Sequence, residues 1–266
     1  MPAASATIAR SAAAGLLLAA ALLPARGATP AGYVTVPAGE FTSVLSGGGA
    51  PNAPVKVARF AMRATPVTNA QFVAFGAAHP EWQRGRAAAV FADASYLNRL
   101  DAAALTPAIG AQPVTSVSWF AAQAYCESEG ARLPTWYEWE YVAAADATRR
   151  DARSDPAWRA RIMSWYGQSS NMSRPAVGGA PNIFGVRNMH GLIWEWVDDF
   201  NALLVSADSR NQGDPEQLQF CGAGAISLQD RDNYAILMRV ALLSSLKGAD
   251  TTNDLGFRCA KSLTEE

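Results

Sequence analysis

The chain has 266 residues, half of them hydrophobic and 17% charged, with eight tryptophans and a formal net charge of −1. That balance allows a sizeable buried core. It offers none of the basic surface that nucleic acid or an anionic membrane would need.

The opening "MPAASATIARSAAAGLLLAAALLPARGA" places Arg10 before an apolar run over 12–23 and ends in Ala25-Arg26-Gly27, a small-x-small cleavage pattern. This reads as a secretory signal peptide over residues 1–27. The alternative, an N-terminal membrane anchor, is disfavoured because the run is too short to span a bilayer. Removing 1–27 takes away two arginines and no acid, leaving 20 basic and 23 acidic residues and a formal charge of −3. The expected location is the periplasm or the exterior, with no membrane anchor after cleavage. Disulfides form there. Three cysteines remain, Cys126, Cys221 and Cys259, so at least one is unpaired within the chain.

No long linker divides residues 28–266, which read as one domain. "GYVTVPAGEF" (32–41) alternates like a strand, and "VKVARFAMRATPVT" (55–68) is a second strand running into a helix start at Thr68. "GGGAPNAP" (47–54) is a surface loop without the Lys-Ser/Thr helix of a phosphate cradle. "TNAQFVAFGAAH" and "SVSWFAAQAYCESEG" (116–130) are amphipathic helices, the second ended by Gly130. Thr135 and Glu138 form a capping box for "WYEWEYVAAA", and Asp155-Pro156 starts another helix in "SDPAWRARIMSWYG". From Gly167 onward, Gly, Pro and Asn punctuation points to loops and short strands. The fold class is α+β with low regular secondary structure.

His79 and His190 are far apart and belong to no HxxxH or HExxH pair. No local motif supports a histidine-based triad. His79 reads as a solvated loop residue and His190 as a turn residue. The densest chemistry lies in "NMHGLIWEWVDDF" (188–200), where a glutamate sits between two tryptophans. A carboxylate there must pair or reach water. Its oxygen donors suit a hard cation, or they are the polar parts of a tight turn.

Four motifs occur in order: "PVTNAQFVAF", "QPVTSVSWFAAQAYCESEGARLPTWYEWEYVAAA", "PNIFGVRNMHGLIWEWVDD" and "LGFRCA". Together they resemble the formylglycine-generating enzyme (sulfatase-modifying factor) superfamily across roughly 33–262. The resemblance implies a C-type-lectin-like fold. It implies a structural calcium held by Asn188, Gly191, Ile193 and Glu195, ligands of the kind calcium takes. A second family calcium site would begin near Asn171-Met172, but the short loop after it lacks the acidic ligand. The resemblance also implies a disulfide between Cys126 and Cys259. A second family bridge would fall at Ala143 and Val240, both apolar here, and Cys221 is left over.

Formylglycine formation in this superfamily uses copper on two cysteines five residues apart. The matching positions are Asp230 and Ala235. Neither supplies a thiolate, so copper is not expected at the family site. Trp194, Ser227, Tyr234 and Arg239 match residues lining the family's substrate groove. Asp230, Tyr234 and Cys221 are the candidate catalytic groups, with Glu195 as a further proton carrier. Three functions follow: an exported maturation factor acting on a peptide or peptide-derived substrate, in the manner of the pyoverdine-maturation branch; a binding protein on a lectin-like fold; or an assembly chaperone for an exported client such as a copper nitrite reductase.

Overall fold

The computed structural model describes residues 31–45, 53–166, 174–203 and 234–263, together with Met1, and for Tyr234 and Ala235 the backbone alone. The segment predicted as a signal peptide, apart from Met1, the tip of the 47–54 loop, Asn171-Met172, Cys221, Ser227 and Asp230 lie outside the described residues.

The alternating run at 32–41 forms two strands, β1 (Tyr33–Val36) and β2 (Gly39–Thr42), in different sheets. Pro37 stands between them, and it has no N–H to continue a ladder. The run at 55–68 splits likewise, into β3 (Pro54–Val57) and β4 (Phe60–Arg63). β1 pairs antiparallel with β4, and β2 pairs antiparallel with β3. The last strand, β7 (Ala260–Ser262), joins the other edge of β4 to give the order β1-β4-β7. β5 (Trp194–Glu195) lies parallel to β6 (Leu255–Gly256). Gly256 is required there: a Cβ would come within 2.2 Å of the Val114 carbonyl oxygen.

The helices are α1 (Asn69–Ala78), α2 (Pro107–Gly110), α3 (Trp119–Ser128), α4 (Trp136–Ala143), α5 (Pro156–Tyr166) and α6 (Tyr234–Ser244). Thr68 with Gln71 and Thr135 with Glu138 close complete capping boxes on α1 and α4. Asp155 accepts from the N–H groups of Ala157 and Trp158, capping α5 as its sequence predicts. Gly130 follows α3 with φ of 61°. The expectation of loops and short strands beyond Gly167 is corrected by α6. Its sequence, YAILMRVALLS, is apolar on nearly every face and gives no helical period to read. Among the described residues no helix is long and apolar enough to cross a membrane.

One main core gathers residues from Tyr33 to Ala260. Trp136, Trp139 and Trp196 are almost wholly buried. Their indole N–H groups donate to Glu140 Oε2, Glu195 Oε2 and the Val117 carbonyl. Buried tryptophans need such partners. Cys126 on α3 is bonded to Cys259 just before β7, with Cα atoms 5.5 Å apart, as the resemblance implied. Ala143 and Val240 are both buried in this core.

Candidate functional site

The turn beginning at Asn188 uses left-handed backbone twice, at Asn188 (φ 58°) and at Gly191 (φ 89°). Asparagine tolerates this region and glycine adopts it freely. The Asn188 side-chain oxygen accepts from the Gly178 N–H at 2.8 Å, tying the turn to the preceding segment. The chain then carries Glu195 into the core with no solvent exposure.

Glu195 meets Arg258, equally buried, in a two-pronged ion pair. Arg258 Nε donates to Oε2 at 2.8 Å and Nη2 donates to Oε1 at 2.7 Å. The same guanidinium donates to the carbonyls of Arg63, Arg187 and Asn188 at 3.3, 3.0 and 3.3 Å. Trp139 adds its indole N–H to Oε2 at 2.9 Å. A buried ion pair survives only when its hydrogen-bonding groups are satisfied to this degree. With no exposure and both oxygens engaged, Glu195 stands as the counter-ion of Arg258, away from the surface that a proton carrier would need.

For calcium, the turn offers oxygens of suitable type: the Asn188 side chain, the Gly191 and Ile193 carbonyls, and Glu195. Charge weighs against tight binding, because Arg258 already balances the one carboxylate. Among the described residues no three His, Cys, Asp or Glu side chains converge. The turn therefore fits calcium only as a low-charge site built mainly from neutral oxygens.

Arg239, on α6, is buried to 2% exposure. Its guanidinium carbon lies 3.6 Å from the centroid of the Trp139 ring, and Nη2 donates to the Glu195 carbonyl. Its Nε is buried without a hydrogen-bond partner. Burial draws its pKa down to about 10, against the opposing pull of Glu195, so it stays a cation at neutral pH. His190 sets its ring edge-on to Trp139 and Trp158, with Nε2 2.9 Å from the Ala143 carbonyl oxygen. Burial lowers its pKa to about 4. The imidazole is thus neutral at pH 7, and Nε2 must carry the proton it gives to that carbonyl. His190 is packed between indoles instead of standing in an open turn. His79, half exposed, lies 4.7 Å from the Phe75 ring.

Trp194 contacts Trp165 at 5.5 Å and Tyr166 at 5.0 Å between ring centroids. These three rings, with Arg174 and Asp254, line a cavity of about 130 Å³. Burial raises the pKa of the Tyr166 phenol, and the charge on Arg239 opposes the shift. Arg239 stacks on Trp139 and Trp194 packs on Trp165 and Tyr166; the two are linked where the Arg239 guanidinium donates to the carbonyl of Glu195, the residue after Trp194. For Tyr234 the structure gives only its place, at the first residue of α6.

Residues 19–263 match the family model described as "Sulfatase-modifying factor enzyme 1-like domain". The chain belongs to this family. The formylglycine-generating enzyme of Streptomyces coelicolor is 31% identical over 291 aligned positions, covering 89% of this chain and 91% of its own. The hercynine oxygenase of Mycolicibacterium smegmatis is 30% identical over 168 positions, covering 53% of this chain and 37% of its own. The structure of PvdO from Pseudomonas aeruginosa aligns with a TM-score of 0.47 and 18% identity, over 87% of this chain and 94% of that one. The mixed helix and sheet, with modest regular structure, is the fold of the sulfatase-modifying factor family.

Within this family frame, sequence reasoning missed Arg258, Trp139, Trp165, Tyr166, Arg174 and Asp254. A signal existed for Arg258. A glutamate flanked by two tryptophans calls for a buried cation, and "LGFRCA" holds one arginine within an otherwise uncharged stretch. The cavity-lining residues carried no local signal, since the fold alone brings 165, 194 and 254 together.

Proposed function

We propose that the protein is an exported maturation factor that modifies, or helps to oxidise, a peptide or peptide-derived substrate, without forming formylglycine from cysteine. The observation that carries this reading is the packing of Trp194 against Trp165 and Tyr166. The family resemblance puts Trp194 and Arg239 at the substrate groove and Asp230 and Ala235 where the copper cysteines would fall. Cu(I) is selected by soft ligands close together; Asp230 offers a hard oxygen and Ala235 offers nothing. Cys221 alone cannot replace a pair, because Cys126 and Cys259 are bonded to each other. In this reading Trp194, Tyr234 and Ser227 contact the substrate, and Arg239 holds the backbone next to Trp194 through the Glu195 carbonyl. Asp230 and Tyr234 move protons, and Cys221 is a single reactive thiol. A low-charge calcium at Asn188, Gly191, Ile193 and Glu195 holds the turn and takes no part in the chemistry.

Binding without chemistry is the second reading, and the buried state of Glu195 and Arg239 favours it, since both are structural in their contacts. An anaerobic Cu(I) titration, then oxygen uptake and peptide turnover assays, on wild type and Cys221→Ser, decide between them. The expected result is no stoichiometric Cu(I) binding, no formylglycine from a Cys-x-Pro-x-Arg peptide, and oxygen-dependent modification of another peptide-derived substrate. Tight Cu(I) binding with formylglycine formation overturns the proposal. Saturable binding without any turnover selects the second reading.

A further inference from the structure

Val90 and Phe91 are consecutive in the chain, and they are 69% and 43% exposed. A lone hydrophobic residue at the surface needs no explanation, but these two belong to a continuous patch. Between centroids, the Phe91 ring lies 6.0 Å from half-buried Trp82 and 5.3 Å from half-buried Phe120. The patch is held in place on several sides. Tyr96 donates its hydroxyl to the Trp82 carbonyl at 2.9 Å. The Asp93 N–H donates to the Ala249 carbonyl, and the Asp93 carboxylate accepts from the Thr251 N–H and hydroxyl. Phe120 lies against Gly248, where a Cβ would come within 2.9 Å of the ring. A surface fixed in this way loses little freedom when something binds it.

The charges around the rings are mostly of one sign. Arg84 and Arg86 lie on the loop between Trp82 and Phe91, Lys247 precedes Gly248 at the Phe120 end, and all three are exposed. Among the described residues none of the three makes an ion pair. Acids close by in the chain are engaged elsewhere: Asp93 with Thr251, Asp250 with the Lys247 N–H, and Glu81 beside His79 at 3.7 Å. An apolar centre with a basic rim is complemented by an apolar side chain flanked by carboxylates. The rings meet at 54° and 68°, which leaves notches for a side chain instead of one flat face for a sugar or a base. A chain with a net charge of −1 gains no long-range attraction to an anionic membrane. We propose that this face docks an acidic segment of a polypeptide partner, with an apolar side chain set between Phe91 and Phe120 and carboxylates at Arg84, Arg86 and Lys247. None of these residues is assigned to the groove or to calcium, and the docking face does not rest on the maturation reading.

The test uses the exported form proposed above and three fluorescein-labelled peptides. They are Asp-Glu-Leu-Phe-Asp-Glu, the same sequence with lysine for each acid, and the same sequence with serine for Leu-Phe. Fluorescence anisotropy reads affinity and stopped-flow mixing reads the rates. The first peptide should bind about tenfold tighter than either control, and its binding should weaken as salt is raised. Val90→Ser and Phe91→Ser should each weaken it about fivefold, chiefly through faster dissociation. Arg84→Glu combined with Arg86→Glu should chiefly slow association. Val90→Ser alters the more exposed residue and keeps the test open if Phe91→Ser fails to fold. Equal binding of the three peptides, no saturable binding, or affinities unchanged in the variants overturns the proposal. Phosphatidylglycerol vesicles and sedimentation of the protein alone supply the remaining arms. Vesicle binding that Val90→Ser abolishes, without any preference among the peptides, makes the face a membrane contact and overturns the acidic partner. A dimer that Val90→Ser dissociates, again without peptide preference, makes it a contact between copies and overturns it equally.

Discussion

Replacing Glu195 with glutamine keeps the volume and removes the charge, so it isolates what the carboxylate does for Arg258. In the native protein the guanidinium is fully buried and, among the described residues, its one anionic partner is Glu195, engaged at 2.7 and 2.8 Å. After Glu195→Gln, one amide oxygen replaces two carboxylate oxygens, and the amide NH₂ faces donors on Arg258 and Trp139. Removing one partner of a buried pair costs about 3–5 kcal/mol, because the other charge stays behind without compensation. Against a total stability of about 5–15 kcal/mol, that is a large share. For a domain of this size it corresponds to a fall in Tm of roughly 6–20 °C. Deleting both charges with Glu195→Leu and Arg258→Met should not restore wild-type stability. It leaves the Trp139 N–H and the carbonyls of Arg63, Arg187 and Asn188 without those partners, at about 1–3 kcal/mol for each group that stays unsatisfied. The assay is equilibrium urea unfolding with the disulfide intact, followed by tryptophan fluorescence. A Glu195→Gln variant within about 1 kcal/mol of wild type would refute the reasoning.

The Cys126–Cys259 bridge spans a sequence separation of 133 residues. Closing so long a loop should stabilise the fold by roughly 5 kcal/mol in the chain-entropy model; urea unfolding of the double alanine variant measures the loss, and a mixed bridge to Cys221 in non-reducing peptide maps contradicts the pairing. Chelation of calcium should lower Tm, and Glu195→Gln should abolish that response; identical melting with and without chelator leaves Arg258 as the sole counter-ion of the turn. Burial pushes the Glu129 carboxyl up, but hydrogen bonds from Arg63 and Tyr33 outweigh it and hold its pKa below the ordinary value. Its stabilising contribution is therefore present above about pH 4.5 and lost as pH falls through the lower folded-state value. Glu129→Gln should flatten that part of the stability–pH curve, and an unchanged slope between about pH 5 and 3 counts against the pair.

What was legible in the sequence was local. Thr68 with Gln71, Thr135 with Glu138, and Asp155 before Pro156 announce helix starts because each cap is closed within three residues. The two-sheet arrangement of residues 33–63 was not legible, since pairing β1 with β4 and β2 with β3 depends on partners outside any local window. Helix α6 was hidden by an apolar sequence with Arg239 as its one charge. The turn at Asn188 was recognisable from Asn, Gly and Glu, but its charge partner lies 63 residues away from Glu195. The folded chain brings that partner, the Arg258 guanidinium, onto both carboxylate oxygens.

The short strand β5 explains how one stretch serves two ends. Successive strand residues face opposite sides, so Trp194 reaches the cavity with Trp165 and Tyr166 while Glu195 turns inward to Arg258. The inward side fixes the outward one: Arg258 ties Glu195 to the carbonyls at 63, 187 and 188, and Arg239 joins the Glu195 carbonyl to the face of Trp139. The position of Trp194 is thus tied to the charged core behind it, and a change at Glu195 should disturb the packing of Trp194 against Trp165 and Tyr166.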